Sequence, residues 1–184
     1  MIIAITGTPG TGKSTIAAIL KKKGYTVMNL KKVAFDNNFI IGIDKKRNST
    51  IIDVKKLDKY IQKKFNLKDI IFIEGHISHL LTCSNKIIIL RLHPSKLKKI
   101  LVKRGWNEEK IRENIEAEIL DIILCEAVNI HTKKNCFEID GTNKPINDII
   151  DCILEIVNNE FKNMKKYNIG KIDWSDEILK DKQV

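Results

Sequence analysis

The chain has 184 residues, 43% hydrophobic and 30% charged, so it can bury a core without disulfides or metal staples, and one domain is expected. Cys83, Cys125, Cys136 and Cys152 form no CxxC pair, which excludes a zinc ribbon or a thioredoxin-type centre and suits a reducing compartment. The formal net charge of +10 favours an anionic partner such as nucleotide or RNA.

The first apolar run, Ile2 to Thr6, predicts a strand and is too short for a secretory signal. No later run reaches membrane-spanning length, so a soluble cytoplasmic protein is expected. The strand leads into Gly7-Thr8-Pro9-Gly10-Thr11-Gly12-Lys13-Ser14, a complete GxxxxGK[ST] pattern. Glycines let successive backbone N–H groups turn towards phosphate oxygens, and the following helix adds its positive end. In this pattern Lys13 reaches the β- and γ-phosphates, Ser14 ligates magnesium and Thr15 contacts the α-phosphate of ATP. Gly10, Thr11 and Gly12 supply the rest of the cradle. A helix from about Lys13 to Lys23 closes at Gly24.

A second strand is predicted over Tyr25 to Leu30 and a helix over Asp53 to Phe65. That helix carries Lys55, Lys56, Lys59, Lys63 and Lys64, which read as a solvated face; aromatics are too sparse for a base-stacking groove. The third strand, Ile70 to Glu74, ends in Glu74-Gly75-His76. A carboxylate at the carboxyl end of a buried strand fits a Walker B acid acting on magnesium through water, the alternative being a solvent-facing strand-end acid. His76 points to the same crevice or is structural, and His79 is a weaker candidate.

Strands over Ile87 to Leu92 and Cys136 to Asp140 complete five isoleucine-rich runs, as suits a sheet buried on both faces. Their alternation with amphipathic stretches predicts an α/β fold with a doubly wound, five-stranded parallel sheet. A helix enters through Pro94, another runs from about Asn107 to Asn129 with Ile111, Ile115, Ile119 and Ile122 on one face, and a last one follows Pro145. Phosphoryl transfer needs cations, and Arg91 and Arg104 are the candidates. Arg104-Gly105-Trp106 lies between two helical stretches, where a mobile lid would carry its arginine.

Gly7 to Ser14, Glu74-Gly75-His76, Leu90-Arg91, Lys103 to Trp106, Glu113-Asn114, Glu116 to Ile119 and Asn143-Lys144-Pro145 together resemble the adenylate kinase isoenzyme 6 class. These are archaeal and eukaryotic P-loop kinases also implicated in maturing the small ribosomal subunit. The resemblance runs through nearly the whole chain. It implies a nucleoside-monophosphate segment over about residues 30–53, a lid over about 103–113, a tail over about 167–184, and ATP contacts from Arg104 and Lys144. Arg47, Asp53 and Arg91 are its candidates for the monophosphate. One departure is Glu74, where much of that class carries aspartate. The segment Gly170 to Trp174 also resembles the ends of those proteins.

The leading expectation is therefore ATP:AMP phosphotransfer with magnesium by a monomer, with Lys13, Glu74, His76 and Arg104 as catalytic residues. The alternatives are an ATPase switch that assembles ribosomes with a small-subunit ribosomal protein and pre-rRNA, or a P-loop kinase for a small metabolite. A GTPase would need Asn-Lys-x-Asp, and Asn143-Lys144 is followed by Pro145-Ile146.

Overall fold

The computed structural model describes residues 1–45, 49–64 and 69–177. Five parallel strands form the main sheet: β1 (Ile2–Thr6), β2 (Thr26–Asn29), β5 (Ile71–Glu74), β6 (Lys86–Arg91) and β7 (Cys136–Asp140), in the order β2-β5-β1-β6-β7. Crossover connections are helical, as parallel pairing requires. They include α1 (Lys13–Lys22), α3 (Val54–Lys64), α4 (Pro94–Lys103), α5 (Glu108–Ile119) and α6 (Ile122–His131), and α7 (Ile146–Asn158) closes the fold.

Both faces of the sheet are covered. On one, Ile3 and Ile5 of β1 meet Ile16 and Leu20 of α1 and Ile149, Ile153 and Ile156 of α7. On the other, Ile2 packs with Leu57 and Ile61 of α3, and Ala4 with Leu124 and Ala127 of α6. Every residue of β1 is buried, which explains why these strands read as continuous apolar runs rather than alternating ones. Among the described residues no helix is long and apolar enough to cross a membrane.

Three elements depart from the sequence reading. The long helix expected over Asn107 to Asn129 is two helices, broken where Asp121 takes a left-handed conformation with φ 54°. Its apolar residues serve different clusters: Ile111 and Ile115 pack on Leu97 and Leu101 of α4, whereas Leu124 and Ala127 pack beneath β6. One straight helix cannot face both, and Ile122, expected on the apolar stripe, is 42% exposed. The expected second strand ends at Asn29, and Leu30 already begins a short helix, α2 (Leu30–Asp36), capped by the Asn29 carboxamide accepting from the Lys32 N–H at 2.7 Å. Beyond it lies an antiparallel pair, β3 (Ile40–Asp44) and β4 (Ser49–Ile52), where no strand was expected. The helix expected to reach Phe65 is α3, and Phe65 lies outside the described residues.

Truncation of a core residue tests this packing: Ile88→Ala, fully buried on the α1–α7 face, is expected to destabilise by about 3 kcal/mol in urea unfolding. Ile43→Ala, on the exposed side of β3, is expected to change stability by less than about 0.5 kcal/mol.

Candidate functional site

The phosphate loop spans the carboxyl end of β1 and the start of α1, where the sheet hands its polar groups to solvent. Gly7 has φ 139°, and a Cβ there would collide with the Leu90 carbonyl of the neighbouring strand, so only glycine allows so close an approach. No side chain caps α1, whose Ncap Gly12 is left-handed. Its first N–H groups therefore face the loop as an anion site.

Lys13 is buried and folded onto its own loop: Nζ donates to the carbonyls of Gly7 at 2.7 Å and Thr8 at 3.0 Å, and to Thr11 Oγ1 at 3.4 Å. Burial lowers its pKa to about 8, with Glu74 and Glu118 pulling it back up and Arg104 pushing it further down. The lysine is thus mostly charged at neutral pH but poorly solvated, which readies it for a phosphate.

Glu74, at the end of β5, is buried beside this loop. Its Oε2 accepts from Ser14 Oγ at 3.4 Å, and its Oε1 accepts a short hydrogen bond from Asn29 Nδ2. Asn29 was not among the sequence candidates. Its signal was position: a good cap residue closing a strand at the ligand end of the sheet. The hydroxyl of Ser14 and the carboxylate of Glu74 form an oxygen-only pair of the kind magnesium takes together with phosphates and water.

His76 is exposed to the crevice. Loss of surrounding water, reinforced by Lys13, His79, Lys31 and Lys110, lowers its pKa to about 4, leaving a neutral imidazole at pH 7. His79, by contrast, is buried, its ring between Thr6 Oγ1 and Glu126 Oε2, each at 2.9 Å. It braces the loop after β5, because Thr6 Oγ1 also donates to the His76 carbonyl at 3.2 Å.

Two adjoining cavities meet at Pro9, Lys31 and His76. One, of about 230 Å³, is walled by Gly10, Gly12, Lys13, Ser14, Thr15, Asn29, Glu74 and Arg104. The other, of about 510 Å³, is walled by Ser49, Thr50 and Ile52 of β4, by Trp106, and by Lys110, Glu113, Asn114 and Ala117 of α5. Arg104, at the C-cap of α4, lines the phosphate cavity. Lys110 sits over the Trp106 ring at 4.3 Å, on the wall of the second cavity.

The residues expected to hold a monophosphate fare differently. Arg91 requires correction: it is 3% exposed and enclosed by carboxylates rather than open to the crevice. Its Nε donates to Glu118 at 2.8 Å, its Nη1 to Glu138 at 2.5 Å and its Nη2 to the Glu118 carbonyl at 3.0 Å and to Asp121. Burial opposes its charge, but Glu118, Asp121 and Glu138 overcome that and hold its pKa above the ordinary arginine value. An arginine ending a buried strand reads equally well as ligand or structural cation in the sequence; only the surrounding carboxylates distinguish them. Asp53 stands before α3, its Oδ1 accepting from the Lys56 N–H at 3.0 Å, and is absent from the walls of both cavities. Arg47 lies outside the described residues. Lys144 donates to the Asp140 carbonyl at 3.0 Å and borders a separate cavity of about 260 Å³ with Tyr167 and Lys171. The α7 start just after it does adjoin the phosphate loop: a Cβ on Gly12 would sit 3.6 Å from Ile146 Cδ1.

Known proteins resemble this chain in sequence and in fold. The model of a family described as "AAA domain" matches residues 3–121. A protein of Methanocaldococcus jannaschii named "Putative adenylate kinase" is 38% identical over 180 residues, covering 97% of this chain and 96% of its own. One of the same name from Archaeoglobus fulgidus is 39% identical over 178 residues, covering 97% and 94%. Among solved structures, shikimate kinase from Acinetobacter baumannii superposes with TM-score 0.62 at 11% identity, covering 88% of this chain and 95% of its own. Thymidylate kinase from Candida albicans superposes with TM-score 0.55 at 16% identity, covering 86% and 91%. At such identities the structural likeness establishes the fold, that of a P-loop kinase.

The state of Lys13 sets an expectation for pH. Below about 8 the free protein holds a charged lysine, and above it the proton is lost. ATP affinity measured by calorimetry should therefore hold from pH 6.5 to about 7.5 and fall above about 8, whereas an ordinary lysine would preserve it to about pH 10. In Lys13→Ala the affinity should be weak and its dependence over that range flat.

Proposed function

The chain belongs to the family of these archaeal relatives, and from that premise we propose that it is an ATP:AMP phosphotransferase, a magnesium-dependent nucleoside monophosphate kinase of the isoenzyme 6 class, acting as a cytoplasmic monomer. The observation that carries the reading is the pair of cavities joined at His76 and Lys31: one lined by the phosphate loop, the other about 510 Å³. The second falls in the range of about 300–1,000 Å³ typical of small-molecule sites and has room for a nucleotide as acceptor. The segment from α2 to α3 is the monophosphate-binding part, and residues 103–113 are the lid.

In this mechanism the N–H groups of the loop and of the α1 start take the donor phosphates. Lys13 leaves the carbonyls of Gly7 and Thr8 for the β- and γ-phosphate oxygens. Ser14 would hold magnesium directly and Glu74 through water, and the ion would neutralise charge shared by the β- and γ-phosphates. Asn29 keeps the Glu74 carboxylate aimed at Ser14. An AMP phosphate oxygen attacks the γ-phosphorus in line; the bond from phosphorus to the β–γ bridging oxygen breaks, its electron pair stays on the departing ADP, and a second ADP forms. The acceptor oxygen is already anionic, so no general base is needed. Neutral His76, standing where the cavities meet, offers a hydrogen bond without adding charge. Arg104 and Lys31, on the rim of the phosphate cavity, supply positive charge as the metaphosphate-like group passes. Trp106 and Lys110 close over the acceptor and exclude water that would otherwise hydrolyse the γ-phosphate. Lys144 flanks the purine of the donor from the loop before α7.

A second reading, with ATP hydrolysis as a switch during small-subunit assembly, is favoured by the net charge of +10 and by the exposed Ile41, Ile43 and Ile51 of the β3–β4 pair. A ribosomal protein and rRNA are its partners.

The deciding measurement is ADP formation from ATP and magnesium with AMP, CMP, GMP or UMP, each against ATP alone. AMP-dependent turnover that falls at least about a hundredfold in both Lys13→Ala and Arg104→Ala is expected. Turnover indifferent to every monophosphate would instead support the ATPase switch.

A further inference from the structure

The phosphate loop is gripped from outside its own motif. Thr8, the second residue of the loop, is 2% exposed, and its hydroxyl donates to Glu118 Oε2 on α5 at 2.5 Å. A carboxylate only accepts, so the Thr8 proton is committed to Glu118 and turned away from the phosphates. The other oxygen of Glu118 accepts from Arg91 Nε at 2.8 Å and from the Leu92 N–H at 3.2 Å. Arg91 also binds the Glu118 carbonyl and Asp121, at the break between α5 and α6. Glu118 is thus held on three sides and presents one acceptor to the loop. The same Thr8 offers its carbonyl to Lys13. Glu113, Asn114 and Ala117, within the two turns before Glu118, wall the acceptor cavity.

We propose that Glu118 is a positioning residue for phosphoryl transfer: through the Thr8 hydroxyl it sets the shape of the donor cradle and ties that shape to the helix lining the acceptor cavity. Glu118 touches neither substrate. Its influence passes through Thr8 to the loop backbone and to the resting place of Lys13. The role in transfer rests on the kinase reading above, whereas the tie between Glu118 and the ATP cradle does not.

The test is a cycle of Thr8→Val, Glu118→Gln and the double variant, with Thr8→Ser as the conservative control, all in the full chain. Calorimetry gives the affinity for ATP with magnesium, steady-state kinetics separates kcat from the KM for ATP and for AMP, and thermal melts report folding. Thr8→Val is expected to weaken ATP binding about tenfold, equivalent to about 1.4 kcal/mol, and to melt cooperatively at a lowered temperature because Glu118 loses a buried donor. Thr8→Ser should bind within about twofold of wild type. Because the two side chains act as one unit, the double variant should lose no more than the worse single variant. Wild-type ATP affinity in Thr8→Val, failure of Thr8→Ser to restore it, or losses that multiply in the double variant would overturn the inference. Should Glu118→Gln not fold, the Thr8→Val and Thr8→Ser pair decides alone. A wild-type protein that binds ATP but phosphorylates no monophosphate would sink the kinase reading, while the affinities would still judge the tie.

Discussion

A parallel sheet covered on both faces leaves almost no place for a polar side chain except at the ends of its strands, and this constraint organises the molecule. Ile2 to Ile5 of β1, Ile71 to Ile73 of β5 and Ile87 to Leu90 of β6 are all buried. Chemistry therefore begins at the next positions along each strand: Thr6 closing β1 with Gly7 after it, Glu74 closing β5, Arg91 closing β6 and Asp140 closing β7. Parallel registration brings these ends side by side, with Ile5 opposite Glu74 and Arg91 opposite Asp140. One row of strand ends thus carries both the phosphate loop and the groups around it.

Placing charge so near a core has consequences that the structure answers locally. Arg91 and Glu118 are each 3% exposed, and removing two such charges from water costs several kcal/mol per ion unless each is paired and hydrogen-bonded. Three carboxylates surround the guanidinium, and Glu138, whose pKa burial pushes up despite Arg91, is further satisfied by the Gly170 N–H at 2.6 Å. That contact fastens the C-terminal tail, which also bridges Phe137 through Asn168 and lays Trp174 against His93 at a ring distance of 4.8 Å. A buried ion pair is weak evidence of stability. Here it joins β6, β7, the α5–α6 break and the tail.

The crevice itself is electrostatically uneven. Lys13, Lys31, Lys110 and Arg104 converge on the two cavities, and Glu74 is the carboxylate set opposite Ser14. Burial weakens the hold of Lys13 on its proton, and loss of surrounding water, reinforced by neighbouring cations, keeps His76 neutral. Both shifts express a site built for added negative charge: a polyphosphate entering it restores what dehydration and repulsion have withdrawn.

The phosphate loop was legible in the sequence because it is local. Gly7 to Thr15 is one contiguous segment whose spacing alone dictates the cradle, and Glu74 closes an apolar run with no further acid before Glu108. The five core strands were legible too, since burial on both faces writes itself as unbroken apolar runs. The second cavity was not: its walls come from β4, the loop carrying Trp106 and the middle of α5, segments distant in sequence whose meeting depends on how the layers pack. The role of Arg91 is decided the same way, by carboxylates 27, 30 and 47 residues away. The sequence by itself thus determined the fold class and the phosphate loop, where the physics is short-range. Tertiary structure alone decided the break at Asp121, the partnering of Arg91 and the grip of Glu118 on Thr8, because each depends on which distant charges become neighbours once water is excluded.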